Sequence, residues 1–214
     1  MTPGSPDRRA RLIVALDLRH PLAFLALHPT IAFAESMKQD VDWVPLEVPA
    51  LNPPSTPAPG DDRGVRHRRL RAQAIAREID TYAAAQGLTL CQPYRSGPTE
   101  AARRAWLWMR DRHPERLVEF LVALFRDYWS MQLDASDPAA VAALVAQSGG
   151  DGAGFVAWQA EGGRHASESL ARELAAIGLF QVPAFVLDDE VFYGRQHLPM
   201  LRWMLEGRVG AVPI

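Results

Sequence analysis

The run Asp17-Leu18-Arg19-His20-Pro21 brings a carboxylate, a guanidinium and an imidazole together in five consecutive residues. The preceding "RLIVALDL" is apolar without alternation, the pattern of a strand buried on both faces. Pro21 suits the first turn of a helix, where its missing N–H costs nothing. His20 therefore stands at a helix N-terminus, whose field disfavours an imidazolium and favours the neutral ring. A neutral imidazole donates one hydrogen bond and accepts another. It can orient a thiol or serve as a general base. The alternative is a surface histidine with no chemical role. Arg19 can hold a carboxylate or phosphate through charge-assisted bonds, and its alternative is plain solvent exposure.

Other reactive residue types are sparse. Cys91 is the sole cysteine, so an intramolecular dithiol cycle is excluded. An inert, buried thiol is the expectation for it. The six histidines show neither HxxxH nor HExxH spacing, so no metal site is expected. Arg63, Arg66, Arg68, Arg69 and Arg71 form a basic run that reads as the solvated face of a helix. Trp106, Trp108 and Trp129 fall among aliphatics at helical spacing and read as core, not as a base-stacking platform. A net charge of −2 and a pI near 6.3 give no electrostatic case for nucleic acid or an anionic membrane. Hydrophobic residues at 48% suffice for an ordinary core. The N-terminus lacks a secretory pattern, and no apolar run approaches the ~20 residues of a membrane span. A soluble cytoplasmic protein is expected.

Positioning His20 requires a β-α-β unit over residues 11–48, with "VDWVPLEV" as its second strand. Pro45 places that strand at an edge or bulge. The proline-rich "PALNPPSTPAPGDD" is a long loop, and such loops are often functional. A helical block follows. "VRHRRLRAQAIAREIDTYAAAQG" puts Ala72, Ile75, Ile79 and Tyr82 on one stripe and stops at Gly87. Thr99, Pro114 and the Ser136-Asp137-Pro138 run mark further helix starts. Leu117, Leu121, Leu124 and Tyr128 form one inward stripe, and Leu170, Leu174 and Ile177 another. The period then becomes two. "PAFVLDDEVFYG" reads as a hairpin turning at Asp188-Asp189, and "RQHLPMLRWMLEG" as a closing amphipathic helix.

The order β-α-β, helical block, β-β-α is the plan of a thioredoxin fold with an inserted helical domain. "GLFQVPAFVLDDEVFYG" resembles a segment of the DsbA-like proteins, in which the Val-Pro bond is cis and faces the active site. "VDWVPLEV" resembles their second strand, and "NPP" at Asn52–Pro54 their substrate-side loop. "RAQAIAREIDTYAAAQGLTL" and "FRDYWSMQLDASDPAAVAAL" are similar to 2-hydroxychromene-2-carboxylate isomerases and kappa-class glutathione transferases. The resemblance implies an α/β thioredoxin-like fold, split as residues 10–58 and 178–214 around a helical domain at 59–177. It implies a glutathione-linked isomerase, transferase or oxidoreductase acting on a small organic substrate.

His20 is the catalytic residue on this reading, standing where the family usually has serine or, in disulfide-exchanging relatives, cysteine. Arg19, Asn52, Val182, Pro183, Arg195 and Gln196 bind substrate or glutathione. The backbone of Val182 is placed to pair with an extended peptide. Gln196 stands where glutathione-holding relatives often carry an acid, and it supplies no charge. Glutathione is the expected cofactor and a small molecule the expected partner, with a homodimer left open. The rival reading is a binding or scaffold protein that kept the fold and lost the nucleophile.

Overall fold

The computed structural model describes residues 12–213. Residues 1–9, whose polar, Pro- and Gly-containing sequence reads as a loose arm, lie outside the described residues. Strand β1 (Leu12–Leu16) leads into helix α1 (Pro21–Met37), and strand β2 (Val41–Pro45) returns parallel to β1. Pro21 occupies the first turn of α1 as expected, and Lys38 in the left-handed region ends it. Pro29 lies inside the helix without terminating it. Strands β3 (Ala184–Leu187) and β4 (Glu190–Tyr193) complete a sheet of order β2-β1-β3-β4. Asp188 and Asp189 both have positive φ, as a two-residue hairpin turn requires. Helix α8 (Leu198–Leu205) closes the fold.

Between the halves lie α2 (Arg63–Gln86), α3 (Glu100–Arg112), α4 (Leu117–Trp129), α5 (Pro138–Gln147), α6 (Gly152–Trp158) and α7 (Arg164–Ala176). Asp62, Asp137 and Asp151 cap α2, α5 and α6 by accepting backbone N–H bonds. A π turn, Gln159–Gly163, carries α6 into α7. Pro45 does sit on an edge strand. The outer side of β2 is covered by α3, where Trp106 Nε1 donates to the Trp43 carbonyl at 3.1 Å. The two arms of Arg110 grip Asp42 at 2.6 and 2.9 Å.

The inward stripe of α4 is buried throughout. Phe24 of α1 stacks on Phe125 and Trp129 of α4, with ring centroids 5.9 and 6.2 Å apart. Two stripes depart from expectation. In α2 only Ile79 is buried, and Tyr82 is 42% exposed. That helix lies along α1 and offers its remaining flanks to solvent, with Arg195 covering the Tyr82 ring. In α7, Leu174 is buried, but Ile177 is 46% exposed because the helix has already ended at Ala176.

Candidate functional site

Parallel β1 and β2 end at the same edge of the sheet, and antiparallel β3 begins there, with Ala15 opposite Ala184. The register therefore gathers the Asp17–Pro21 turn, the residues after β2 and the Val182-Pro183 bond at one end. That bond is cis.

Asp17 organises the turn. Its carboxylate accepts from Arg19 N and Nε through one oxygen, and from Arg19 Nη2 and Val48 N through the other. Arg19 Nη2 also donates to the Val48 carbonyl at 2.9 Å, and Nη1 pairs with Glu47 at 3.2 Å. With a side chain only 12% exposed, Arg19 braces the turn against the residues after β2. Its fork is occupied, so the anion-holding role expected for it does not match its contacts.

His20 is half-buried at the N-cap of α1. Burial pushes its pKa below the ordinary value; Asp17 opposes this, and the positive charge of Arg19 adds to it. The direction is the one expected, but the main cause is desolvation. Nδ1 is sealed from solvent and has no partner among the described residues. The ring therefore has one sealed nitrogen without a bond, while Nε2 is not among the sealed atoms.

At the same end of the sheet, the N–H and C=O of Val182 take no hydrogen bond among the described residues. Pro183 is buried, and its carbonyl accepts from Gly194 N at 2.8 Å, which ties the turn carrying Arg195 and Gln196 to this end of the fold. Arg195 lies over the Tyr82 ring, 3.2 Å from its centroid, and pairs with Glu78 at 3.3 Å. Its Nη1 is buried and unpartnered. Gln196 folds back over Gly194 and donates to the Tyr193 carbonyl at 2.9 Å. Gly194 has φ of 99°, and a Cβ there would fall 2.1 Å from the Gln196 amide oxygen, so only glycine fits. Asn52 is exposed in the connection from β2 to α2.

Tyr128 was not foreseen as a site residue. It is 1% exposed, its hydroxyl lacks a partner, and it lies within electrostatic range of Arg19 and Asp17. The one signal in the sequence is a hydroxyl ending an otherwise aliphatic stripe. Cys91 is half-buried, not fully buried, and its N–H donates to the Trp129 carbonyl at 2.9 Å. Arg63, Arg66, Arg68 and Arg71 are exposed, as a solvated helix face requires. A cleft of about 790 Å3 lies between the end of α1 and the start of β2, at the opposite edge from His20.

A family model of the DSBA-like thioredoxin domain matches residues 31–206. The chain belongs to this family. Among solved structures, a 2-hydroxychromene-2-carboxylate isomerase superposes with a TM-score of 0.69 at 15% identity, covering 92% of this chain and 95% of that one. A protein of Streptomyces coelicolor described as a probable DsbA oxidoreductase gives 0.67 at 19% identity, with 96% and 93% covered. Pseudomonas aeruginosa DsbA gives 0.56 at 15% identity, with 97% and 88% covered. At these identities the likeness carries the fold. No curated protein matches the chain in sequence. No helix among the described residues of this DSBA-like chain is long and apolar enough to cross a membrane.

Proposed function

We propose that the protein is a glutathione-linked isomerase, transferase or oxidoreductase acting on a small organic substrate, with His20 in place of the family's usual serine or cysteine. The observation that carries this reading is the unbonded Val182 backbone at the same sheet end as His20. An extended peptide can pair with that N–H and C=O as a short added strand. Arg195, whose turn is tied to Pro183 by the Gly194 bond, supplies the cation for a peptide carboxylate. His20 Nε2 then meets the thiol as a hydrogen-bonding partner. With one cysteine in the chain, internal dithiol exchange is not the chemistry.

Calorimetric titration with reduced glutathione tests this. Saturable binding is expected in the parent, weakened about tenfold or more by Arg195→Ala, since a charge-assisted bond is lost. Absence of binding sinks the reading. Isomerisation of a 2-hydroxychromene-2-carboxylate is the first activity to assay, because a structural neighbour bears that name. One observation favours the rival, a binding protein without turnover: His20 Nδ1 has no carboxylate to orient it. On that alternative glutathione binds and no substrate is turned over.

A further inference from the structure

A second cleft opens between α3 and α7, beside the residues that follow β2. Its inner part, about 400 Å3, is walled by Leu46, Leu107, Leu170 and Leu179. Its mouth, about 360 Å3, is lined by Arg103, Arg104 and Arg164, and the two parts share Arg103, Ser167 and Ala171. Leu46, Leu107 and Leu179 are each less than a tenth exposed and make the apolar part of the inner wall, while Glu47, paired with Arg103, is the carboxylate on it.

The guanidinium groups at the mouth are unevenly satisfied. Arg103 Nη1 pairs with Glu47 at 2.6 Å, yet its Nε is buried without a partner. Arg104 Nε is also buried and unpartnered. Neither Arg104 nor Arg164 has an ion pair among the described residues. Glu100 and Glu168 share the mouth and bond to neither guanidinium. Those sealed Nε atoms are a desolvation cost, whereas the terminal Nη groups of Arg104 and the exposed Arg164 side chain are what the mouth offers a ligand. The backbone supports the arrangement. The π turn brings Gly163 against the Arg104 stem, where a Cβ would lie 3.2 Å from Arg104 Cδ. Such turns recur at functional sites.

We propose that this cleft binds a small amphipathic monocarboxylate, its apolar chain among the leucines and its carboxylate between Arg104 and Arg164. The volume falls within the ordinary range for small-ligand pockets, about 300–1,000 Å3. Glu100 and Glu168 at the mouth select a monoanion over a phosphate dianion. The unpaired guanidinium groups of Arg104 and Arg164 select a carboxylate over an alcohol of the same shape. This site is independent of the glutathione reading and stands or falls without it.

The test is calorimetric titration of the full chain with octanoate, octan-1-ol and reduced glutathione. Octanoate is expected to saturate one site and to bind at least about tenfold tighter than octan-1-ol, the usual worth of a charge-assisted bond. Arg104→Ala and Arg164→Ala should each weaken octanoate about tenfold to a hundredfold and leave octan-1-ol unchanged. Leu170→Trp should exclude both. Arg164 is exposed, so its variant keeps the test decisive if Arg104→Ala misfolds. Equal binding of acid and alcohol, no saturable octanoate binding, or an Arg164→Ala variant that binds as the parent does would overturn the proposal. Displacement of octanoate by glutathione would overturn it as well, by merging the cleft with the His20 end.

Discussion

His20 faces two environments, and its chemistry follows from the difference. A strong histidine base has Nδ1–H donated to a carboxylate, which supports the charge gained at Nε2. Here the nearest carboxylate in sequence, Asp17, already accepts four hydrogen bonds from Arg19 and Val48. His20 is thus suited to hydrogen-bond a thiol or to work as a modest base. His20→Ala should reduce any glutathione-dependent turnover by about a hundredfold to ten-thousandfold, the usual contribution of a positioned acid–base group. His20→Ser, which restores the family's usual residue, should retain more activity than His20→Ala. Equal rates for parent and both variants would make His20 a bystander. The pH dependence has a definite sign. Burial lowers the folded-state pKa below the unfolded value of about 6.5. The preference for the neutral ring therefore contributes stability fully present above about pH 6.5 and lost as pH falls through the lowered value. A proton NMR titration should place the His20 midpoint below the ordinary value of about 6.5. A midpoint at or above that value would remove burial as the controlling effect.

At the scale of elements, the β1–α1 turn is held by a carboxylate that the turn itself supplies. Asp17 is 3% exposed and its partner Arg19 is largely buried, so removing Arg19 leaves the Asp17 charge without compensation, and removing Asp17 leaves Arg19 with Glu47 alone. Asp17→Ala should cost about 3–5 kcal/mol, as breaking a buried pair typically does. Asp17→Asn should cost less, because its amide oxygen still accepts. Urea unfolding at constant m-value measures both; a loss under about 1 kcal/mol for Asp17→Ala would show that the turn holds without it. The turn was legible in part. Pro21 announced the helix start, and the unbroken apolar run announced β1. The partners of Arg19 were not legible, because Val48 lies 29 residues further on and the parallel pairing of β2 brings it back. A lone loop arginine looks the same in sequence whether it is solvated or locked. The place of Arg195 just after the hairpin was likewise legible, but its stacking on Tyr82 was not. The same helical spacing that placed Tyr82 on an inward stripe gave no sign that α2 buries only Ile79. The α3–α7 cleft escaped for a related reason: Arg103, Arg104 and Arg164 meet only through packing of two separate helices.

On the scale of the molecule, the inserted helices do not form a separate core. One continuous cluster joins Leu12, Val14 and Leu16 of β1 to Phe24 of α1, and onward to Trp106, Phe120, Phe125 and Trp129 of α3 and α4. Phe24 belongs to the helix that carries His20 and stacks on two aromatic rings of α4. Trp106 spans the same boundary by bonding to the edge carbonyl of Trp43. The sheet and the insertion therefore solvate or bury one another's surfaces together, and loss of either exposes the other. Unfolding should be a single cooperative transition. Fluorescence of a variant that keeps only Trp106, Trp108 and Trp129, which lie in α3 and α4, should coincide with a ring-current-shifted methyl resonance from β1. Phe125→Ala, which removes a ring at 0% exposure from the centre of the cluster, should lower stability by about 3–5 kcal/mol on both probes alike. If the two probes separate, in the parent or in that variant, the insertion has a stability of its own. The stacking of Phe24 on Phe125 and Trp129 would then be a docking contact between two independent units, and α1 could shift against α4 without either unfolding.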